Sequence, residues 1–232
     1  MGDSKVKISA VIIGSINIDV DTLKKIEGID IFKVTDRKSC EEIVNRGSSD
    51  DLVFIISDGR EVYYAEKFFS RLPALKIFLV TEAQAADNKN LRDVIIQLPA
   101  QNFNEKIFEV ANAFNDVLNV EGIVALDFAD IQSLFKNSGK AISNIGVANG
   151  ENAAENAVQN ALEGHDDIKS ARSILMNFKG SNKSVAINNI KAALIKFPML
   201  MSKDIKFTFG ITIDESFGDK VKVAVIAGRF LG

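Results

Sequence analysis

Through the first hundred residues, short runs of β-branched and apolar side chains alternate with stretches whose apolar positions recur every three or four residues. The runs cover 6–13, 29–35, 52–57, 75–81 and 94–98. The stretches between them place Val20, Leu23, Lys24 and Ile26 on one helical face, Cys40, Ile43 and Val44 on a second, and Val62, Ala65, Phe68, Phe69 and Leu72 on a third. Pro73 ends the third, because proline cannot continue a helix without losing a backbone hydrogen bond. Strands alternating with amphipathic helices predict βαβ units and a parallel sheet.

From Phe103 to about Val120 the apolar positions Phe103, Ile107, Phe108, Val110, Ala111, Phe114, Val117 and Leu118 keep helical spacing over about five turns. This predicts a long central helix. A second helix is predicted from Asp127, with Ile131, Leu134 and Phe135 inward and Gly139 just beyond its end. The order then changes: a strand over 142–147, an Ala-rich helix over 151–163, a strand over 171–178, a helix over 184–197 ended by Pro198, and strands over 205–213 and 221–230. The short segment 214–219 is expected to join the last two strands as a hairpin. The predicted organisation is a parallel-sheet α/β region over 1–102, the helix and an acidic loop over 103–126, and a smaller mixed α+β domain over 127–232.

Composition narrows the functional classes. With 28 basic against 31 acidic residues and a net charge of -3, the chain has no electrostatic footprint for a phosphate backbone, so nucleic acid is not an expected partner. The start, Met1-Gly2-Asp3-Ser4-Lys5, does not read as a signal peptide, and no apolar run approaches the ~18 residues of a membrane span. A cytoplasmic setting without direct membrane insertion is the expectation. The only cysteine, Cys40, and the only histidine, His165, cannot by themselves build a metal site or a nucleophilic pair, and no metal is expected.

A loop that holds a nucleotide phosphate needs closely spaced glycines, since the backbone must turn sharply and converge its N–H groups on the anion. None of the 15 glycines here lies closer than four residues to another, and the stretch between Gly59 and Gly122 has none.

The second half carries the positive signal. Gly122-Ile123-Val124-Ala125-Leu126-Asp127-Phe128-Ala129-Asp130, the run from Gly146 through Asn149-Gly150-Glu151-Asn152 to Ala157, and the run from Phe209 through Asp214-Glu215-Ser216-Phe217-Gly218-Asp219 to Gly228 together resemble FtsZ, the bacterial and archaeal tubulin homologue. The resemblance covers about half of the chain. It implies an FtsZ/tubulin-like fold, with a Rossmann-like nucleotide-binding domain, a central helix and a mixed C-terminal domain. It also implies GTP at the C-terminal ends of the first-domain strands, and head-to-tail filaments in which the acidic loop of one subunit supplies carboxylates to the next subunit's nucleotide. Those carboxylates would be Asp127 and Asp130, acting in trans. Asp127 with Asp130 also reads as a helix N-cap with an acidic capping-box variant, and the two roles are compatible.

The departures lie in the first half. Where the family has glycine clusters this chain offers Gly14, Ser15 and Asn17 after the first strand, and Asp58 and Gly59 after the third run. By resemblance Asp116 matches the family's guanine-contacting position, although it lies about three turns too close to Asp127. The segment before Asp127 is shorter than the family's, and Ala125 replaces the family asparagine two positions before the first loop carboxylate. The rim would collect Asp19, Asp58 and Glu82 against Arg60, with each misplaced carboxylate repelling a phosphate by about 1–4 kcal/mol. GTP binding is therefore not expected. The resulting expectation is an FtsZ-like cytoskeletal or cell-division protein without its own GTPase, working through its acidic loop face on FtsZ or on itself. The alternatives are a GTP-binding, filament-forming homologue with an unorthodox pocket, and a structural homo-oligomer that kept the fold.

Overall fold

The computed structural model describes residues 5–46, 50–58, 68–81, 94–136, 138–165, 168, 170–196 and 205–228. The chain divides into two compact units, one of Met1–Asn115 with Lys136–Lys140, the other of Asp116–Phe135 with Ala141–Gly232.

In the first unit, strands β1 (Ile8–Ile13), β2 (Ile29–Val34), β3 (Leu52–Ser57), β4 (Leu75–Val80) and β5 (Val94–Gln97) run in the order β2-β1-β3-β4-β5. All neighbouring pairs are parallel. β1, β3 and β4 are buried at every position, the state of strands covered on both faces, which is why they read as unbroken apolar runs. Helices α1 (Val20–Leu23) and α2 (Arg37–Arg46) link the first three strands. The expected third helix falls mostly on residues 61–67, outside the described residues. Of the expected stretch, Phe68 and Phe69 are described and helical, and beyond it the buried Lys76 donates from Nζ to the carbonyls of Leu72 and Ala74, both at 3.2 Å. Helix α3 (Phe103–Asn119) matches the predicted central helix, and Phe114 packs edge-on against Phe54 with ring centroids 5.8 Å apart. No helix among the described residues is long and apolar enough to cross a membrane.

The second unit holds β6 (Gly122–Val124), α4 (Phe128–Phe135), β7 (Gly139–Asn149), α5 (Ala153–Leu162), β8 (Ser173–Gly180), α6 (Ile187–Lys196), β9 (Lys206–Ile213), a 3₁₀ turn (Glu215–Phe217) and β10 (Lys220–Gly228). Their order is β7-β10-β8-β9-β6. β10 is antiparallel to both β7 and β8, β8 and β9 are parallel, and β6 is antiparallel to β9. The alanine face of α5 covers the sheet, with Ala153, Ala154, Ala157 and Ala161 in the core.

Three expectations need correction. β7 is longer than the run 142–147, because its pairing with β10 continues from Ala141 to Asn149 through polar Ser143 and Asn144. The Asn144 amide is accommodated by donating to the Ala161 carbonyl at 2.6 Å. Part of the acidic loop is strand β6, too short to show a period. Last, β9 and β10 are not a hairpin: β8 lies between them. Segment 214–219 passes over the end of β8, where the Asp214 N–H donates to the Gly180 carbonyl at 2.8 Å and the Ser181 hydroxyl donates to the Gly218 carbonyl at 2.6 Å. Gly218, at φ 55°, makes the turn back into β10.

Candidate functional site: a strand-end crevice and an acidic loop

In the first unit the strand order reverses between β1 and β3, since β1 leads to β2 on one side and β3 continues on the other. Ligands of open α/β sheets bind beyond the strand C-termini at such a switch point. Gly14, Ser15 and Asn17 follow β1 and Asp58 follows β3, so the structure brings these four expected residues to one end of the sheet; Gly59 lies outside the described residues. Gly14 adopts φ 84°, a left-handed turn out of β1 that favours glycine. The loop it opens is tied to the start of α3, where Asn104 accepts from the Asp19 N–H at 2.9 Å and donates to the Asn17 carbonyl at 3.4 Å. Asp19 caps α1, accepting the Thr22 hydroxyl at 2.6 Å and the N–H groups of Thr22 and Asp21 at 3.2 and 3.1 Å. These donors, the Thr22 hydroxyl foremost, hold its carboxyl below the usual aspartate range. The Asp58 carbonyl accepts the Thr81 hydroxyl at 3.0 Å. Glu82 and Arg60 lie outside the described residues.

Asp116 is the remaining residue that the resemblance assigns to the pocket. It belongs to the second unit, is 4% exposed, and places both carboxylate oxygens 3.0 and 3.1 Å from the Lys179 Nζ on β8. Lys179 also stands 3.8 Å from Asp214. The Thr212 hydroxyl on β9 lies 3.3 Å from the Asp116 carbonyl and 3.2 Å from the Asn177 Oδ1, and can donate to either. Burial lifts the Asp116 carboxyl above its ordinary value, and Lys179 and Lys222 offset only part of the rise, to which Asp214 adds. The last turn of α3 turns this face toward β8 and β9, so the carboxylate pairs with Lys179. Sequence reasoning missed Lys179, Asn177 and Thr212. For Asn177 and Thr212 the signal was a polar residue inside an otherwise apolar strand.

Asp127 and Asp130 stand together at the start of α4, both exposed. Asp127 is the N-cap, its Oδ1 accepting the Ala129 N–H at 3.0 Å and its carbonyl accepting the Asp130 N–H at 3.1 Å. The loop is pressed against β9: a Cβ on Gly122 would lie 1.9 Å from the Ile211 carbonyl oxygen, so only glycine fits. Ile123 in β6 is 47% exposed beside this acidic edge. Among the described residues no cluster of three or more His, Cys, Asp or Glu could hold a metal.

This arrangement, a parallel switch-point unit followed by a long helix and a mixed second unit, is the FtsZ/tubulin fold. Residues 139–230 match the model of the FtsZ family C-terminal domain. The whole chain is similar to an empty FtsZ dimer structure from M. jannaschii, with 19% identity and a TM-score of 0.77 over 98% of this chain and 89% of that one. It is also similar to a mutant FtsZ of M. jannaschii, with 18% identity and a TM-score of 0.79 over 97% of this chain and 92% of that one. TubZ of Bacillus thuringiensis serovar israelensis, in GDP-form protofilaments, is a further neighbour, with 12% identity and a TM-score of 0.61 over 98% of this chain and 88% of that one.

Proposed function

We propose that this protein is a cytoskeletal filament partner that docks through its acidic loop face onto an FtsZ-type subunit, without running a GTPase cycle of its own. The observation that carries the reading is a difference between the two loci. Asp127 and Asp130 are exposed on a loop held against β9 through Gly122, as a docking element needs. The crevice, in contrast, offers among the described residues after β1 and β3 one positive-φ glycine, Gly14, with Asp19 and Asp58 on the same strand-end loops, a set poorly suited to a triphosphate. A heterologous contact of this kind uses two unlike faces, and a subunit with one working face adds to a filament end without extending it. That FtsZ forms a dimer and TubZ forms protofilaments in the similar structures supports an assembling role.

The experiment is co-sedimentation with preformed filaments of FtsZ from the same source. The parent is expected in the pellet, and the Asp127→Ala/Asp130→Ala variant in the supernatant. Equal sedimentation of the two would overturn the assignment of the loop.

A further inference from the structure

The end of helix α3 and the start of the acidic loop share one anchor. Asp116 and Gly122 lie six positions apart in the sequence, yet both reach Thr212 of β9: the Asp116 carbonyl through the Thr212 hydroxyl at 3.3 Å, and Gly122 as its ladder partner. Between them Val117 packs onto Gly210, where an added Cβ would meet the Val117 Cγ1 at 2.9 Å. The Asp116 side chain adds a directional charge contact, bidentate to Lys179 on the strand next to β9. Asp127, which caps α4, follows five residues after Gly122.

A buried ion pair contributes little net stability compared with apolar packing, because desolvation offsets the attraction. What it does is restrict geometry: a carboxylate removed from water has few alternatives to its partner. Here the restriction falls on the last turn of α3, from which the acidic loop departs. The second attachment, at Gly122, allows no side chain and so little play.

We propose that Asp116, held by Lys179, is a positioning residue for the acidic loop: it touches no docking partner itself, and it fixes where β6 and the Asp127 cap stand. This rests on the docking role given to that loop, yet the clamp itself can be read without any partner.

The test is amide hydrogen exchange on the full chain, comparing the parent with Asp116→Asn, which keeps the shape and removes the charge. Exchange at Gly122, Val124 and Ala129 is expected to speed up by about tenfold or more, while Val11 in β1 and Val223 in β10 stay within about twofold of the parent. Asp116→Glu, which keeps the charge, is expected to restore part of the protection, a rescue that simple loss of packing would not give. Unchanged exchange at Gly122 and Ala129 in Asp116→Asn would overturn the clamp. Should that variant fail to fold, Lys179→Gln removes the same pair from the more exposed side and carries the same two outcomes. Co-sedimentation separates this inference from the docking reading. A parent that does not sediment sinks the docking role and leaves the exchange result to judge the clamp. A parent that sediments while Asp116→Asn sediments equally well, with its loop amides unchanged, sinks the clamp alone.

Discussion

Gly146 of β7 approaches helix α5 so closely that a Cβ on it would stand 2.0 Å from the Ala157 carbonyl oxygen and 2.4 Å from the Ala161 backbone nitrogen. Neither neighbour is a flexible side chain that could swing aside. Gly146→Ala therefore has to push α5 off the sheet, uncovering the core that Ala153, Ala157 and Ala161 share with Val223 and Val225. The expected cost is about 3 kcal/mol, at the upper end of ordinary overpacking. Chemical denaturation of parent and variant measures it, and a loss below about 1 kcal/mol would show that the helix gives way more easily than this contact implies.

The central helix makes a second prediction. Phe114 is fully buried and meets Phe54 edge-on, so Phe114→Ala removes a large side chain from a site with rigid walls. A loss of about 3–5 kcal/mol is expected in the same denaturation experiment. A variant as stable as the parent would show that the core of the first unit does not depend on this helix face.

The buried Asp116 makes a pH prediction whose sign is opposite to the usual one for aspartate. Burial raises its folded value above 3.8, so the native state binds this proton more tightly than the unfolded chain does. Its favourable contribution is complete below 3.8 and is lost as pH rises through the raised folded value. The stability of the parent relative to Asp116→Asn should therefore decline with rising pH across that interval. Asp214 runs the other way: the Ser216 hydroxyl holds it below 3.8, so its contribution is lost as pH falls. Its exposure to solvent keeps that effect small. A parent that gains stability over Asp116→Asn as pH rises would mean that the Lys179 attraction outweighs burial.

Much of the fold was legible from periodicity. The strands of the first unit are nearly continuous apolar runs because both faces are covered, and α3 repeats apolar positions for all of its 17 residues. The Asp127 cap was legible too, since capping chemistry is local. The placement of β8 between β9 and β10 was not, because a short connection looks the same in sequence whether it closes a hairpin or passes over a third strand. The partner of Asp116 was not legible for a related reason. The position of Asp116 on α3 is readable, but the partner that decides its role, Lys179, lies 63 residues away and looks like an ordinary surface lysine at the end of a strand. That Gly14, Ser15, Asn17 and Asp58 stand at one end of the sheet was legible because they follow runs expected to be parallel strands.

Nucleotide binding gives a separate check on the crevice. With one positive-φ glycine described after β1, and Asp19 and Asp58 on the same strand-end loops, calorimetry is expected to detect no GTP or GDP binding at micromolar concentration. A dissociation constant near ~1 μM, equivalent to about 8 kcal/mol, would favour the homologue with an unorthodox pocket.

Filament length tests the central claim most directly. A subunit that docks by its acidic loop and offers no working crevice to the next subunit ends the filament, so small amounts act on the whole population. Added at about one part in twenty to polymerising FtsZ from the same source, the parent is expected to shorten filaments several-fold, and Asp127→Ala/Asp130→Ala to leave them at full length. Filaments of unchanged length with the parent, together with a stable self-dimer in solution, would contradict the account and point to a structural homo-oligomer.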